Sequence, residues 1–212
     1  MSRRVMTSDR LSAFTDGVLS IVLTIMVLNL PIPHSQSEQA MQPLWTAVGA
    51  HALAFVNIGI FWNNHHHLMH LVRKVDGRVL WANLLLLFWL TLIPFVIRWI
   101  GEAEVSAEPV AAYGFVLAMA ALSYWLLERV IIIVDVAEEG EAPLEIAVGK
   151  VLRERLSMAS YLIAAGLAFL SPWLAVSIYV ALAALWFAPD RRVEREVEKA
   201  IAEEEGDDRT GP

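Results

Sequence analysis

Long apolar runs constrain this chain more than any other feature. A helix needs about 20 mostly apolar residues to cross the hydrocarbon of a bilayer. The sequence reaches that length repeatedly, with candidate spans over about 11–30, 44–71, 79–99 and 110–134. Two shorter ones follow over roughly 156–170 and 173–188, and Ser171-Pro172 would form the turn between them. That short pair also fits one re-entrant hairpin or one long broken helix. Pro31 and Pro33 stop the first span, since proline cannot continue a helix. Over the whole chain 57% of residues are hydrophobic and 18% charged. Because the apolar excess is gathered into runs, it points to a lipid solvent rather than to a large soluble core. The expected fold class is an all-α integral membrane protein with six transmembrane helices and no internal repeat.

Charge placement orients the bundle. Lys and Arg gather on the cytoplasmic side of membrane proteins. With the N-terminus inside, the inner segments hold 15 of the 16 basic residues, from Arg3, Arg4 and Arg10 through Arg73, Lys74 and Arg78 to the C-terminal group. The outer loops, 32–43 and 100–109, hold none, and Arg98 alone borders one of them. Both termini are therefore expected in the cytoplasm. Residues 1–10 would be the N-terminal segment, 11–188 the six-helix membrane domain, and 189–212 an acidic cytoplasmic tail. No cleavable leader is expected, because the first apolar run lacks a small-residue cleavage site and is long enough to span. Trp45, Trp99 and Trp173 fall near the expected membrane interfaces.

Several function classes drop out. The chain has no cysteine, so disulfides, thiolate metal sites and cysteine nucleophiles are excluded. A net charge of −7 gives no support for nucleic-acid binding. No nucleophile motif, P-loop or dinucleotide fingerprint occurs, so an enzyme is not expected, nor is a cofactor. The histidines at 65, 66, 67 and 70 raise a metal question, since His66 and His70 have the i, i+4 spacing of two ligands on one helix face. Without cysteines or an HExxH pattern, the expectation is a hydrogen-bonded histidine cluster and no metal.

The first span is unusual for a membrane helix. It carries Asp16 about a turn and a half in, and a charge inside a span is normally paired or faces the bundle interior. Ser12, Asp16, Ser20 and Thr24 lie four apart and form a drifting polar stripe. Ile21, Ile25 and Leu28 share a different face. Periodicity leaves open whether that face meets lipid, the core or a symmetry axis. His65, His66, His67 and Arg10 are the expected partners of Asp16.

Arg10-x3-Phe14-Thr15-Asp16-x7-Thr24 resembles the first-helix signature of the transmembrane protein 175 family, with Thr15 where that pattern has serine. Phe61-Trp62-x2-His65-His66 resembles the family's second helix, and Asn83-Leu84 with Pro94-Phe95 its third. The resemblance covers about the first 100 residues. It implies a potassium-permeable channel in a prokaryotic plasma membrane, assembled as a homotetramer, with no obligatory partner protein and K+ as the permeant ion. It further implies a pore lined by the first helix. Ile21, Ile25 and Leu28 would form an apolar constriction and Thr24 a selectivity layer. Arg10, Phe14, Thr15, Asp16, Trp62, His65 and His66 would form the supporting network. No TVGYG-like loop is present, so a carbonyl filter is not expected. The competing classes are a secondary ion transporter, which six spans without an inverted repeat or evident broken helices fit poorly, and a histidine-based metal or haem membrane protein.

Overall fold

The computed structural model describes residues 7–32, 38–72, 75–103, 105–139 and 144–187. Seven helices account for almost all of them: α1 (Ser8–Leu28), α2 (Glu38–Leu71), α3 (Gly77–Thr91), α4 (Ile93–Glu102), α5 (Ala107–Glu139), α6 (Leu144–Leu167) and α7 (Pro172–Phe187). They form six rods, because α3 and α4 are two halves of the third expected span. Four stretches among the described residues are long and apolar enough to cross a membrane: Ser8–Leu28, Met41–His70, Gly77–Glu102 and Ala107–Val134. Pro172–Trp186 is a shorter apolar helix. The expected tail, 189–212, lies outside the described residues.

The break in the third span corrects the expectation of unbroken helices. Pro94 has no N–H to give to the carbonyl one turn back, and its ring crowds that carbonyl. The chain responds at Leu92, where α3 ends and α4 begins with Pro94 in its first turn. Thr91 Oγ1 donates to the Phe88 carbonyl at 2.7 Å, occupying one acceptor near the break. Other ends follow ordinary rules. Asp76 caps α3 by accepting from the backbone N–H of Arg78 at 2.8 Å and of Val79 at 3.0 Å. Pro172 opens α7 at the position where proline suits a helix, with Ser171 Oγ accepting from the Leu174 N–H at 3.4 Å. The expected turn at Ser171-Pro172 is thus present.

α5 is the central rod and packs on α3, α4, α6 and α7, while α1 lies to one side against α2, α3 and α4. Lipid tails are as apolar as leucine, so apolar burial alone does not drive these helices together; close packing and interhelical hydrogen bonds do. Small residues sit at the tight contacts. Ala164 of α6, Ala168 in the turn that follows it, and Ala175 and Ala183 of α7 are buried. Gly114 of α5 leaves room for the Tyr179 side chain, whose Cζ would lie 2.7 Å from an added Cβ.

A buried polar cluster joins four rods in the middle of the bundle. Asn57 Nδ2 donates to Tyr113 Oη at 3.1 Å, and Tyr161 Oη donates to Asn57 Oδ1 at 3.3 Å. Tyr179 Oη donates to the Val110 carbonyl at 3.2 Å and packs edge-on to Tyr113. Each hydroxyl is thereby satisfied in a dry interior, where an unpaired one would be costly.

Candidate functional site

α1 has two chemically distinct sides. Leu11, Thr15, Leu19, Val22 and Met26 are buried, at spacings of four, four, three and four, so one helical face docks on the body of the bundle. A second face, about 110° round the helix, carries Phe14, Ile21, Ile25 and Leu28, with exposures of 49, 60, 44 and 77%. Clefts lie on either side of α1. One, of about 720 Å³, opens between α1, α2 and α7 and is lined by Asp16, Ser20, Phe55, Gly59, Trp62 and Trp186 among others. The other, of about 400 Å³, separates Ile21 and Ile25 from Thr91, Pro94, Phe95 and Arg98 on the broken third span.

The hydroxyls beside the ridge are turned in a particular way. Thr24 Oγ1 donates to the Ser20 carbonyl at 2.8 Å, and Ser20 Oγ donates to the Gly17 carbonyl at 2.8 Å. Their hydrogens are therefore directed back along the helix. The remaining lone pairs of Thr24, an exposed residue, are left for an electrophile outside it.

Side-chain bonds anchor α1 to two neighbouring helices, one from buried Thr15 and one from exposed Asp16 beside it. Asn83 Nδ2 of α3 donates to Thr15 Oγ1 at 3.0 Å, and Asn83 Oδ1 faces His65 Nε2 of α2 at 2.9 Å. With the Asn83 amide oriented this way, His65 Nε2 carries the proton. Thr15, Asn83 and His65 are all buried. A second link runs from Trp62 Nε1 of α2 to Asp16 Oδ1 at 2.8 Å. This corrects the expected partner of Asp16, which is the indole and not a histidine or Arg10. The reason is rotational: on α2, residue 62 turns toward α1, while His65 turns under it toward Asn83.

The remaining signature residues lie further out. His66 stacks on Trp62 with centroids 5.8 Å apart, and its Nε2 lies 3.1 Å from His70 Nε2. Arg10 is exposed on the first turn of α1. Asp76 and Arg98 make local contacts: Asp76 with Arg78, and Arg98 Nε with Glu102 Oε1 at 2.7 Å. Partial burial pushes the Asp76 carboxyl up. The backbone N–H of Val79, with the side chain and N–H of Arg78, outweighs that and holds the group below the ordinary carboxylate range. Arg129 lies 5.6 Å over the Trp125 ring, as a cation at a helix flank can. Among the described residues no group of three or more His, Asp or Glu is placed to hold a metal ion.

Residues 10–94 match the family described as the endosomal/lysosomal potassium channel TMEM175. A potassium channel of Chryseobacterium sp. (strain P1-3) is 43% identical over 195 residues, covering 92% of this chain and 100% of that protein. A potassium channel of Streptomyces collinus is 29% identical over 188 residues, covering 83% of this chain and 89% of that one. Among solved structures, the crystal structure of a lysosomal potassium-selective channel TMEM175 homolog from Chamaesiphon minutus superposes with a TM-score of 0.71 at 24% identity. It covers 84% of this chain and 95% of that one, and the shared feature is the fold.

Proposed function

The chain belongs to the TMEM175 family of membrane channels, and from that membership we propose that it is a potassium-permeable channel built from four copies, with α1 lining the pore. The observation that carries this reading is the two-sided character of α1. Its polar anchors, Thr15 and Asp16, are bonded to the body of the same chain, while Ile21, Ile25 and Leu28 project from it. The clefts on either side of α1 offer space that neighbouring copies would fill. Four aliphatic side chains at one level around an axis make a narrow apolar ring, and such rings close by dewetting. Ile21, Ile25 and Leu28 form successive rings. Thr24, with its hydrogen given to Ser20, presents oxygen lone pairs that replace part of the hydration shell of a passing cation.

The reading has a multi-pass protein of a prokaryotic plasma membrane, and the placement of basic residues supports cytoplasmic termini and a cytoplasmic tail, 189–212. No cofactor or partner protein enters the reading; lipid and the other three copies suffice.

Reconstituted protein tests it. Ile21→Ala and Ile21→Asn widen or wet the first ring, so K+ conductance rises and the preference for K+ over Na+ falls, read from reversal potentials. If both variants leave conductance and preference at wild-type values, the constriction is elsewhere. The competing class is a secondary transporter, but the interruption at Leu92 is a single residue in αR backbone, not the unwound stretch that marks transporter helices. Unitary current steps in a planar bilayer require the channel; substrate-coupled flux without them requires the transporter.

A further inference from the structure

His66 and His70 are one helical turn apart on α2 and converge. Their Nε2 atoms are 3.1 Å apart, and the rings meet edge-on at 90° with centroids 4.5 Å apart. Two imidazole nitrogens bound to one ion at about 2.0–2.1 Å lie about 2.9 Å apart at a right angle and about 3.4 Å apart at the tetrahedral angle. The observed separation falls between these. The same distance serves an N–H···N hydrogen bond in the metal-free protein. An ion would take the place of the shared hydrogen, each ring then carrying its own hydrogen on Nδ1. His70 is exposed and His66 partly so, which leaves an entry path and room for water on the open positions. His67, adjacent in sequence, points its ring elsewhere, 5.8 Å from that of His66.

We propose that His66 and His70 chelate a divalent transition-metal ion of the zinc or copper class, and that its binding is felt at α1 through Trp62 and Asp16. The connection is continuous. His66 stacks on Trp62 with an interplanar angle of 25°, and Trp62 Nε1 donates to Asp16 Oδ1 at 2.8 Å. An ion that fixes the His66 ring holds the indole beneath it, and the indole holds α1. Structural zinc sites close the shell with four protein ligands. With two from this pair and the rest from water, the ion exchanges, as a regulator must. Held in place, α1 moves less readily to widen its rings, so metal lowers conduction. The binding half stands on side-chain geometry alone; the effect on conduction rests on the channel reading.

Two measurements on the purified full chain separate the halves. Titration with Cu2+ in detergent, followed by electron paramagnetic resonance, yields a signal with two nitrogen donors in the wild type and in His67→Asn. His70→Asn removes it. A wild type without that signal, or a His70→Asn protein that keeps it, overturns the site. In proteoliposomes loaded with K+, Zn2+ on both faces lowers K+ flux in the wild type and in His67→Asn, and not in His70→Asn. Trp62→Phe keeps the Cu2+ signal and loses the Zn2+ response. Flux that is indifferent to Zn2+, or raised by it, while the Cu2+ signal is intact overturns the coupling. A protein with the signal and no K+ flux at all overturns the channel reading, and the coupling with it, while the metal site stands.

Discussion

Replacing Asn83 with leucine should loosen α1 by an amount that the bonds themselves set. Asn83 is fully buried and bonds both ways, donating to Thr15 and accepting from His65. Interhelical hydrogen bonds in membrane proteins contribute about 0.6 kcal/mol on average and up to about 1.7. Two lost bonds therefore cost about 1–3 kcal/mol. Leucine keeps most of the volume, so a cavity adds little. It also strands the Thr15 hydroxyl and the His65 Nε2–H against methyl groups, and a stranded buried group costs about 1–3 kcal/mol. The expected loss for Asn83→Leu is thus about 2–4 kcal/mol, at the upper end of the bond sum. Thr15→Val strands one group, the Asn83 amide, and should cost about 1–2 kcal/mol.

The double variant isolates the Thr15–Asn83 bond. Once Asn83 is leucine, the Thr15 hydroxyl has nothing to lose, so the two costs fail to add by about 1 kcal/mol. The assay is reversible unfolding in mixed detergent micelles at one fixed protein concentration, since assembly would otherwise shift the apparent stability. A coupling below about 0.3 kcal/mol, the scatter of independent sites, refutes the reasoning. It would mean that α1 is held by apolar packing and that the buried network is incidental.

Gly114→Ala should be among the most damaging single-methyl additions in the chain. The new Cβ would press on the Tyr179 ring and hydroxyl, displacing it from the Val110 carbonyl, and overpacking with one lost bond costs about 2–4 kcal/mol. Tyr179→Phe, which removes only the bond, should cost about 1 kcal/mol, so its melting temperature in detergent should lie well above that of Gly114→Ala. Asp76→Ala removes the cap of α3 and should cost about 1 kcal/mol at neutral pH. Because the folded-state carboxyl titrates below its unfolded value, this contribution is full above the unfolded pKa and fades as pH falls through the folded one. The stability gap between wild type and Asp76→Ala should therefore be constant near neutrality and close only in strong acid. A gap that closes by pH 5 contradicts the assignment.

Most of the fold was legible in the sequence because lipid imposes a length on every span. Residues 11–30 and the observed Ser8–Leu28 differ by only a few residues at each end. The expected start at 44 missed the first turns of α2, since a polar segment before Pro43 extends the helix without lengthening its apolar run. The break at Leu92 was foreshadowed by Pro94, yet proline in a span is often absorbed without a break. The site was half legible. Thr15, Asp16, Trp62 and His65 were singled out, but the pairing among them depends on the rotation of α2, which no one-dimensional pattern encodes. The tyrosine cluster was missed because its members come from different spans. One signal was available: all four tyrosines of the chain lie inside expected spans rather than at their ends, and a hydroxyl in hydrocarbon requires a partner.

The isoleucine ridge shows what a single chain can say about a pore. In water, an exposed stripe of Ile21, Ile25 and Leu28 would demand a partner; in lipid it costs nothing, so exposure by itself is uninformative. Buried polar bonds do not by themselves mark a pore helix, since α2, α5, α6 and α7 share a cluster of them; those of α1 fix the helix that carries the ridge. A buried threonine, asparagine and histidine, and an aspartate bonded by an indole, hold it at one rotation about its own axis. A helix apolar all round can rotate in lipid at little cost, whereas α1, with Asp16, Ser20 and Thr24, cannot. In the proposed tetramer the outer face of α1 meets three copies of itself, and a rotation of one residue, about 100°, would carry the isoleucines out of the proposed rings. On the channel reading, the anchoring network sets the rotation that the apolar ridge needs, and loss of the network should degrade ion preference before it abolishes folding.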